Sequence, residues 1–301
     1  MKNGDLLTAQ TAFTLINPQT KALAFQVYIF EDDAYFEQLR NYQFYCMVLV
    51  IQGKGTFRAA LSDHSFERSS LLCFSIYQPF MIKAEGEFKG ILIGFHPDFF
   101  CIHKHQAEVA CNGVLFNNIY EDPSVRLTDT EMRALLEVAG SLKAEMQQGG
   151  VAQFELLIAY LKIFLIQASR IRLSQHLFDG LMQEKEPFIL KTLKDAIEEH
   201  YRTKHSPGEY AALLNMSAKA LNRISKTHFN KTLTSLIAER IVIEAKRELY
   251  LTSKPVKAIA YELGFSDEFY FSRFFKNNAT VSPQIYRDTV GFGKGTDMQA
   301  T

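Results

Sequence analysis

The sequence predicts an α+β chain of two domains: an N-terminal β-barrel with a helix pair behind it, then an all-α domain. Three observations carry that reading. Short runs rich in aromatic and β-branched residues, broken by Gly or Pro turns, fill residues 20–100. Two long apolar helical patterns follow between 127 and 176. The last third repeats one helix–turn–helix pattern at an interval of about 50 residues. A length of 301 residues is ample for two hydrophobic cores. The expected bounds are 1–177 for the first domain, 178–188 for a linker, 189–288 for the helical domain and 289–301 for a tail.

Residues 1–20 carry no regular pattern and are expected to be poorly ordered. Strands are predicted at 24–30, 41–51, 56–61, 71–76, 80–85 and 88–95, with Gln52-Gly53-Lys54-Gly55 as a turn. Phe36, Phe44, Phe57, Phe66, Phe74, Phe80 and Phe88 make this domain strongly aromatic. They are read as barrel core, with a pocket for a small effector as the other use of such a lining. Gly149-Gly150 separates helices over 127–147 and 151–176. The first has Met132, Leu135, Leu136, Ala139 and Leu142 on one stripe. The second is apolar nearly all round and must be covered on more than one side: one side is assigned to the barrel and the other to the same helix of a second subunit, with a helix fully buried within one chain as the alternative. Glu184-Lys185-Glu186-Pro187 falls in the linker.

Charge is balanced over the whole chain but not along it. Residues 189–288 hold 16 Lys and Arg against 11 Asp and Glu, a net of +5, whereas residues 1–188 hold 16 against 21, a net of −5. The cationic excess therefore lies where phosphates would be met, and binding there should depend strongly on salt. Four Cys without regular spacing, no leader pattern and no long uncharged apolar run point to a soluble cytoplasmic protein with free thiols and no membrane partner.

Within the helical domain, Ile259, Ala260 and Leu263 have helical spacing and Gly264 supplies a left-handed cap. Phe265 plugs the turn, and Ser266 or Asp267 can cap a second helix to about Lys276. Tyr270, Phe271, Phe274 and Phe275 are assigned to its inner face, and Glu268, Phe269, Ser272, Arg273 and Lys276 to its outer one. This is the layout of a helix-turn-helix DNA reader, and also of an αα-hairpin with a solvated face. The repeat decides for the former. Residues 210–226 carry the same pattern, with Asn215 in place of Gly264, Arg223 in place of Arg273 and Lys226 in place of Lys276. Ser206-Pro207-Gly208-Glu209 opens this copy as a capping box with Pro at the first helical position. Residues 233–251 read as one helix with Ile237, Ile241, Ala245 and Leu249 on a face. Its length of roughly 28 Å approaches the ~34 Å between successive major-groove faces on one side of a duplex.

The runs Ile259-Ala260-Tyr261-Glu262-Leu263-Gly264-Phe265-Ser266-Asp267 and Tyr270-Phe271-Ser272-Arg273-Phe274-Phe275-Lys276, with Val281-Ser282-Pro283 and Tyr286-Arg287, resemble the AraC/XylS family of bacterial transcription regulators. The match covers about residues 190–288. The first copy is looser: Ser225 stands where the family usually has an aromatic. The Gly that the family usually has after each recognition helix is Asn230 in one copy and Thr280 in the other, and a β-branched Thr is poorly suited to positive φ. The resemblance implies a homodimeric, sequence-specific regulator of double-stranded DNA, with RNA polymerase as a further partner. It also implies a cupin-like effector domain, which the residues themselves match only weakly at Val50-Ile51-Gln52-Gly53-Lys54-Gly55.

Metal-binding cupins place a His-x-His pair before that turn. Here Asn41-Tyr42-Gln43-Phe44-Tyr45 offers no imidazole, so no metal and no cofactor is expected. His96, Cys101, His103, His105 and Cys111 cluster within sixteen positions but fit no standard zinc spacing. They are read as packing and surface residues, with metal or redox sensing as the alternative. No nucleophile–base pair stands in a motif context, so no catalytic residue is assigned; a non-metal binding protein or enzyme with an accessory helical domain is the competing function. The candidate DNA-contacting residues are Lys219, Asn222, Arg223, Lys226, Glu268, Phe269, Ser272, Arg273 and Lys276. Arg223 and Arg273 are assigned to base edges, for their two-pronged donor geometry, and Lys226 and Lys276 to phosphates.

Overall fold

Short runs of apolar, aromatic and β-branched residues draw much of the first half of the chain into strands. The computed structural model describes residues 12–17, 21–60, 62–182 and 188–290, the side chains of 176–182 excepted. It divides into two units: residues 1–118 with 123–175, and residues 119–122 with 176–301. In the first unit β1 (Ala12–Ile16), β2 (Leu23–Phe30), β3 (Tyr45–Gln52), β4 (Gly55–Ala59), β5 (Ser62–Phe66), β6 (Ser70–Phe74), β7 (Phe80–Ala84), β8 (Lys89–Phe95) and β9 (Ser124–Arg126) form two antiparallel sheets. One has the order β1-β2-β8-β3-β6-β9 and the other β5-β4-β7. All seven phenylalanines assigned to the core are buried, and Phe74 and Phe80 stack with ring centroids 3.9 Å apart.

Two expectations for this unit need correction. The sheets do not close into a barrel. β4 and β5 are five-residue strands that alternate buried and exposed positions, and the small sheet presents one aromatic face to the core without joining the larger sheet's strand ladder. Residues 12–16, expected to be unordered, pair with β2 in the register Phe13↔Val27. At the β3–β4 corner Gly53 has φ +116°, and a Cβ there would lie 2.6 Å from the Glu87 carbonyl oxygen, so the turn requires glycine.

After the four-residue α1 (Gln106–Val109), Thr128 and Glu131 form a reciprocal capping box that starts α2 (Asp129–Gln148). Its buried face is Met132, Leu135, Val138, Ala139 and Leu142, with Leu136 half-buried. After the break at Gly149-Gly150, α3 (Gln153–Met182) buries Leu157, Leu161, Phe164, Leu165, Ala168 and Ile171. Leu156, Ile163 and Leu173 on its other side are 39%, 43% and 44% exposed. The helix runs on to Met182, through Gly180 and into positions assigned to the linker, with no Pro to break it before Pro187; Glu184, Lys185, Glu186 and Pro187 lie outside the described residues.

The second unit contains α4 (Phe188–His200), α5 (Pro207–Leu213), α6 (Ala218–Phe229), α7 (Leu233–Leu251), α8 (Val256–Glu262), α9 (Glu268–Ala279) and α10 (Pro283–Val290). The central α7 buries the stripe Ile237, Ile241, Ala245 and Leu249, as the helical spacing predicts, and packs against α4, α6, α8, α9 and α10. Burying each of its Ile and Leu side chains contributes about 1.5–3 kcal/mol.

Candidate nucleic-acid interface

α5–α6 and α8–α9 are built by the same steps from different residues. Glu209 accepts the Ser206 amide N–H at 2.9 Å and opens α5, whereas α8 starts after Pro255 without a side-chain cap. Each turn needs one left-handed residue, Asn215 at φ 53° and Gly264 at φ 80°. Each is closed by an equivalent backbone bond, Met216 N–H to Ala211 O at 2.9 Å and Phe265 N–H to Ala260 O at 3.0 Å. Ser217 caps α6 by accepting the Ala220 N–H, and Asp267 caps α9 by accepting those of Phe269 and Tyr270. Asn230 and Thr280 then end the two helices at φ 53° and 67°. Thr280 thus adopts the left-handed geometry despite its β-branch; its N–H donates to Lys276 O at 2.9 Å.

From residue 221 to 230 and from 271 to 280 the order of buried, half-buried and exposed positions is identical. Lys219, Arg223 and Lys226 are exposed in α6, as are Phe269, Arg273 and Lys276 in α9; Asn222, Ser272 and Glu268 are half-buried. At i, i+4 and i+7 each triplet runs along one face of its helix. None of these five cations is bound in an ion pair or side-chain hydrogen bond among the described residues, so each guanidinium and ammonium is available to a ligand.

One assignment changes, and two other positions prove to be engaged within the domain. Asn222 Oδ1 accepts the Leu233 N–H at 3.1 Å and so helps cap α7, leaving its amide nitrogen as the group that can face outward. Tyr270, assigned to the inner face of α9, is 57% exposed; Phe271 and Phe275 are fully buried, and Phe274 is half-buried 5.1 Å from the Phe265 ring. The tyrosine sits at the boundary between stripes, where its hydroxyl favours water. Ser225, in the aromatic slot, is fully buried and donates to the Lys231 carbonyl at 2.6 Å.

The sequence does not reveal the ionic anchor behind this surface. Glu244 on α7 is buried and meets Arg202 at 2.8 Å, Arg247 at 3.0 Å and Arg240 at 3.4 Å. Burial pushes its carboxyl upward, but Arg240, Arg247 and Arg202 outweigh this and hold it below the ordinary value. Arg240 also lies 3.8 Å over the Tyr201 ring. Read locally, a Glu flanked by Arg on a helix is an ordinary surface pair; only the tertiary packing buries it.

The Cys–His cluster is not gathered into a site. Cys101 and Cys111 are buried, burial pushes the Cys111 thiol up to about 12, and His105 pairs with Glu108 at 2.7 Å. No group of three His, Cys, Asp or Glu side chains among the described residues is arranged to hold a metal. No helix among them is long and apolar enough to cross a membrane.

Comparison with known proteins falls on this same region. A family profile described as a helix-turn-helix domain matches residues 210–289. The raffinose operon transcriptional regulatory protein RafR of Pediococcus pentosaceus is 32% identical over 95 residues, 32% of this chain and 34% of that protein. The regulatory protein SoxS of Salmonella typhimurium is 31% identical over 99 residues, 33% of this chain and 92% of that protein. Among solved structures, the C-terminal domain of AraT, a response regulator from Geobacillus stearothermophilus, is 28% identical with a TM-score of 0.35, covering 38% of this chain and 93% of that one. The chain thus spans about a third of RafR, but nearly all of SoxS.

Proposed function

The chain belongs to the AraC/XylS family of transcriptional regulators, and from that premise we propose that it is a sequence-specific double-stranded DNA-binding regulator whose α6 and α9 enter two successive major-groove segments. One observation carries the proposal: the repeated burial pattern that leaves Lys219, Arg223 and Lys226, and again Arg273 and Lys276, exposed and unpaired on helices joined through α7. Arg223 and Arg273 offer two-pronged donors to guanine, Asn222, Ser272 and Glu268 adjust the choice of base, and Lys226 and Lys276 neutralise phosphates.

The protein acts as a homodimer. The exposed Leu156, Ile163 and Leu173 of α3 supply the apolar stripe that pairs with a second copy, with α2 beside it. The β-sheet unit modulates DNA binding, with a small effector as its input and RNA polymerase as the partner on DNA. The test is selection of bound sequences from a random DNA pool by the full-length protein. The expected result is a motif of two elements about one helical turn apart; failure to enrich any sequence overturns the proposal. Placing charge on this stripe with Leu156→Glu and Ile163→Glu should shift the protein to monomer in analytical ultracentrifugation.

A further inference from the structure

The two recognition helices match in backbone but part company in their first turn. Where α6 has Lys219 and Ala220, α9 has Phe269 and Tyr270 at the positions fifty residues on. Phe269 is 77% exposed. Asp267 accepts the N–H groups of Phe269 and Tyr270 at 3.2 and 2.8 Å and so fixes the turn that carries the ring. Spacing of i, i+4 and i+7 sets Phe269 on one stripe with Arg273 and Lys276. A phenyl ring held on a cationic stripe forgoes the stabilisation that burial would bring, and the first module places a cation at this very position. The edges of the bases in the major groove offer one apolar group, the C5 methyl of thymine. The N-terminal residues of a recognition helix are those that reach base edges.

We propose that Phe269 reads thymine methyl groups. The base pairs beneath the first turn of α9 are then A·T pairs with a methyl against the ring, whereas Lys219 and Arg223 of α6 read acceptor atoms. The two halves of the site then differ in chemistry at the first turn of each helix: beneath α9 an apolar contact joins the Arg273 hydrogen bonds, whereas beneath α6 Lys219 adds a second charge-assisted donor to Arg223. The inference rests on α9 lying in the major groove, as proposed above, and names what it recognises there.

The test uses the full-length protein and a site selected from a random pool. Each thymine is replaced in turn by deoxyuridine, which removes the methyl and leaves base pairing intact. At one or two positions in the α9 half, uracil should weaken wild-type binding on the order of fourfold, the contribution of one buried methyl. The same replacements should have no effect on F269A or F269K, and F269L should retain part of the effect. A uracil series that is flat, or alike in wild type and F269A while both bind DNA, overturns the inference and leaves the DNA-binding proposal standing. F269A that binds as tightly as wild type but fails to activate transcription assigns the ring to a protein partner and likewise overturns it. If no sequence is enriched at all, the DNA-binding proposal fails and takes this inference with it.

Discussion

In the first module the fully buried slot of the recognition helix holds Ser225, which donates a hydrogen bond to the Lys231 carbonyl; in the second it holds Phe275, packed 5.8 Å from the Tyr286 ring. The turn before that helix is left-handed in both, through Asn215 in one and Gly264 in the other. The repeat therefore preserves a set of environments, not a set of residues: where φ must be positive, where a side chain must be sealed, and where a cation must stay free. Each module fills those environments with different chemistry, so equivalent substitutions should have unequal effects.

The largest inequality is expected at the turns. Asn tolerates left-handed φ, so exchange of the two residues would be harmless if φ were all that mattered. It is not: a Cβ at Gly264 would lie 2.1 Å from the Arg202 carbonyl oxygen, a backbone atom that cannot move alone. Gly264→Asn should destabilise the second unit by about 4 kcal/mol or more, whereas Asn215→Gly should stay within about 1 kcal/mol. Urea unfolding of both variants measures the gap; equal effects would mean that the two turns are constrained alike.

Next come the buried slots. Phe275→Ala removes a sealed aromatic and should cost about 3–4 kcal/mol. Ser225→Ala removes a hydroxyl and leaves the Lys231 carbonyl without that donor, at about 1 kcal/mol. Thermal unfolding ranks them, and a Ser225→Ala loss as large as that of Phe275→Ala would show that the hydrogen bond, not the packing, holds α6 against α7.

How much of this could be read from the chain follows from the range of each signal. The second unit is dominated by local helical periodicity, caps and an internal repeat, so the bounds 233–251 for α7 and the outward position of Arg223 and Arg273 are legible in the sequence itself. Asn222 reaches Leu233 across a turn, and Glu244 joins Arg240 and Arg247 of its own helix to Arg202 of the α4–α5 loop; neither the Asn222 contact nor the Arg202 one has a local signature. In the first unit β2, β7 and β8 stand out by their apolar or aromatic runs, but SDHSF of β5 and the three residues of β9 do not. Strand order is set by pairing across the chain, β2 with β8 and β3 with both β6 and β8, which no window of sequence records. A barrel and a two-sheet stack share the same strand pattern; only the pairing separates them.

At the exposed faces the comparison turns to binding. Arg273→Ala should cost on the order of 1–3 kcal/mol on the selected site and relax the preference at one base pair, and Arg223→Ala should do so at a different one. Gel-shift titration against sites varied singly reads both. An Arg273→Ala protein weakened equally on every sequence would make this residue a phosphate contact, and the modules would then differ in role as well as in residue.

The smallest effect is expected where the two helices end. Asn230 and Thr280 both occupy left-handed backbone, at φ 53° and 67°. Asn visits this region readily because its short amide side chain hydrogen-bonds locally, while a β-branched Thr is an outlier there. Thr280 is not without support, since its hydroxyl donates to the Ala279 carbonyl at 2.6 Å and its amide closes the last turn of α9. Thr280→Asn should remove the steric conflict and keep a local hydrogen-bonding group, stabilising the second unit by about 0.5–1 kcal/mol; the reverse change, Asn230→Thr, should cost a similar amount. Paired denaturant curves test the sign. If Thr280→Asn is instead destabilising, the threonine hydroxyl outweighs the strain, and this end of α9 is held by a side-chain bond rather than by its backbone conformation.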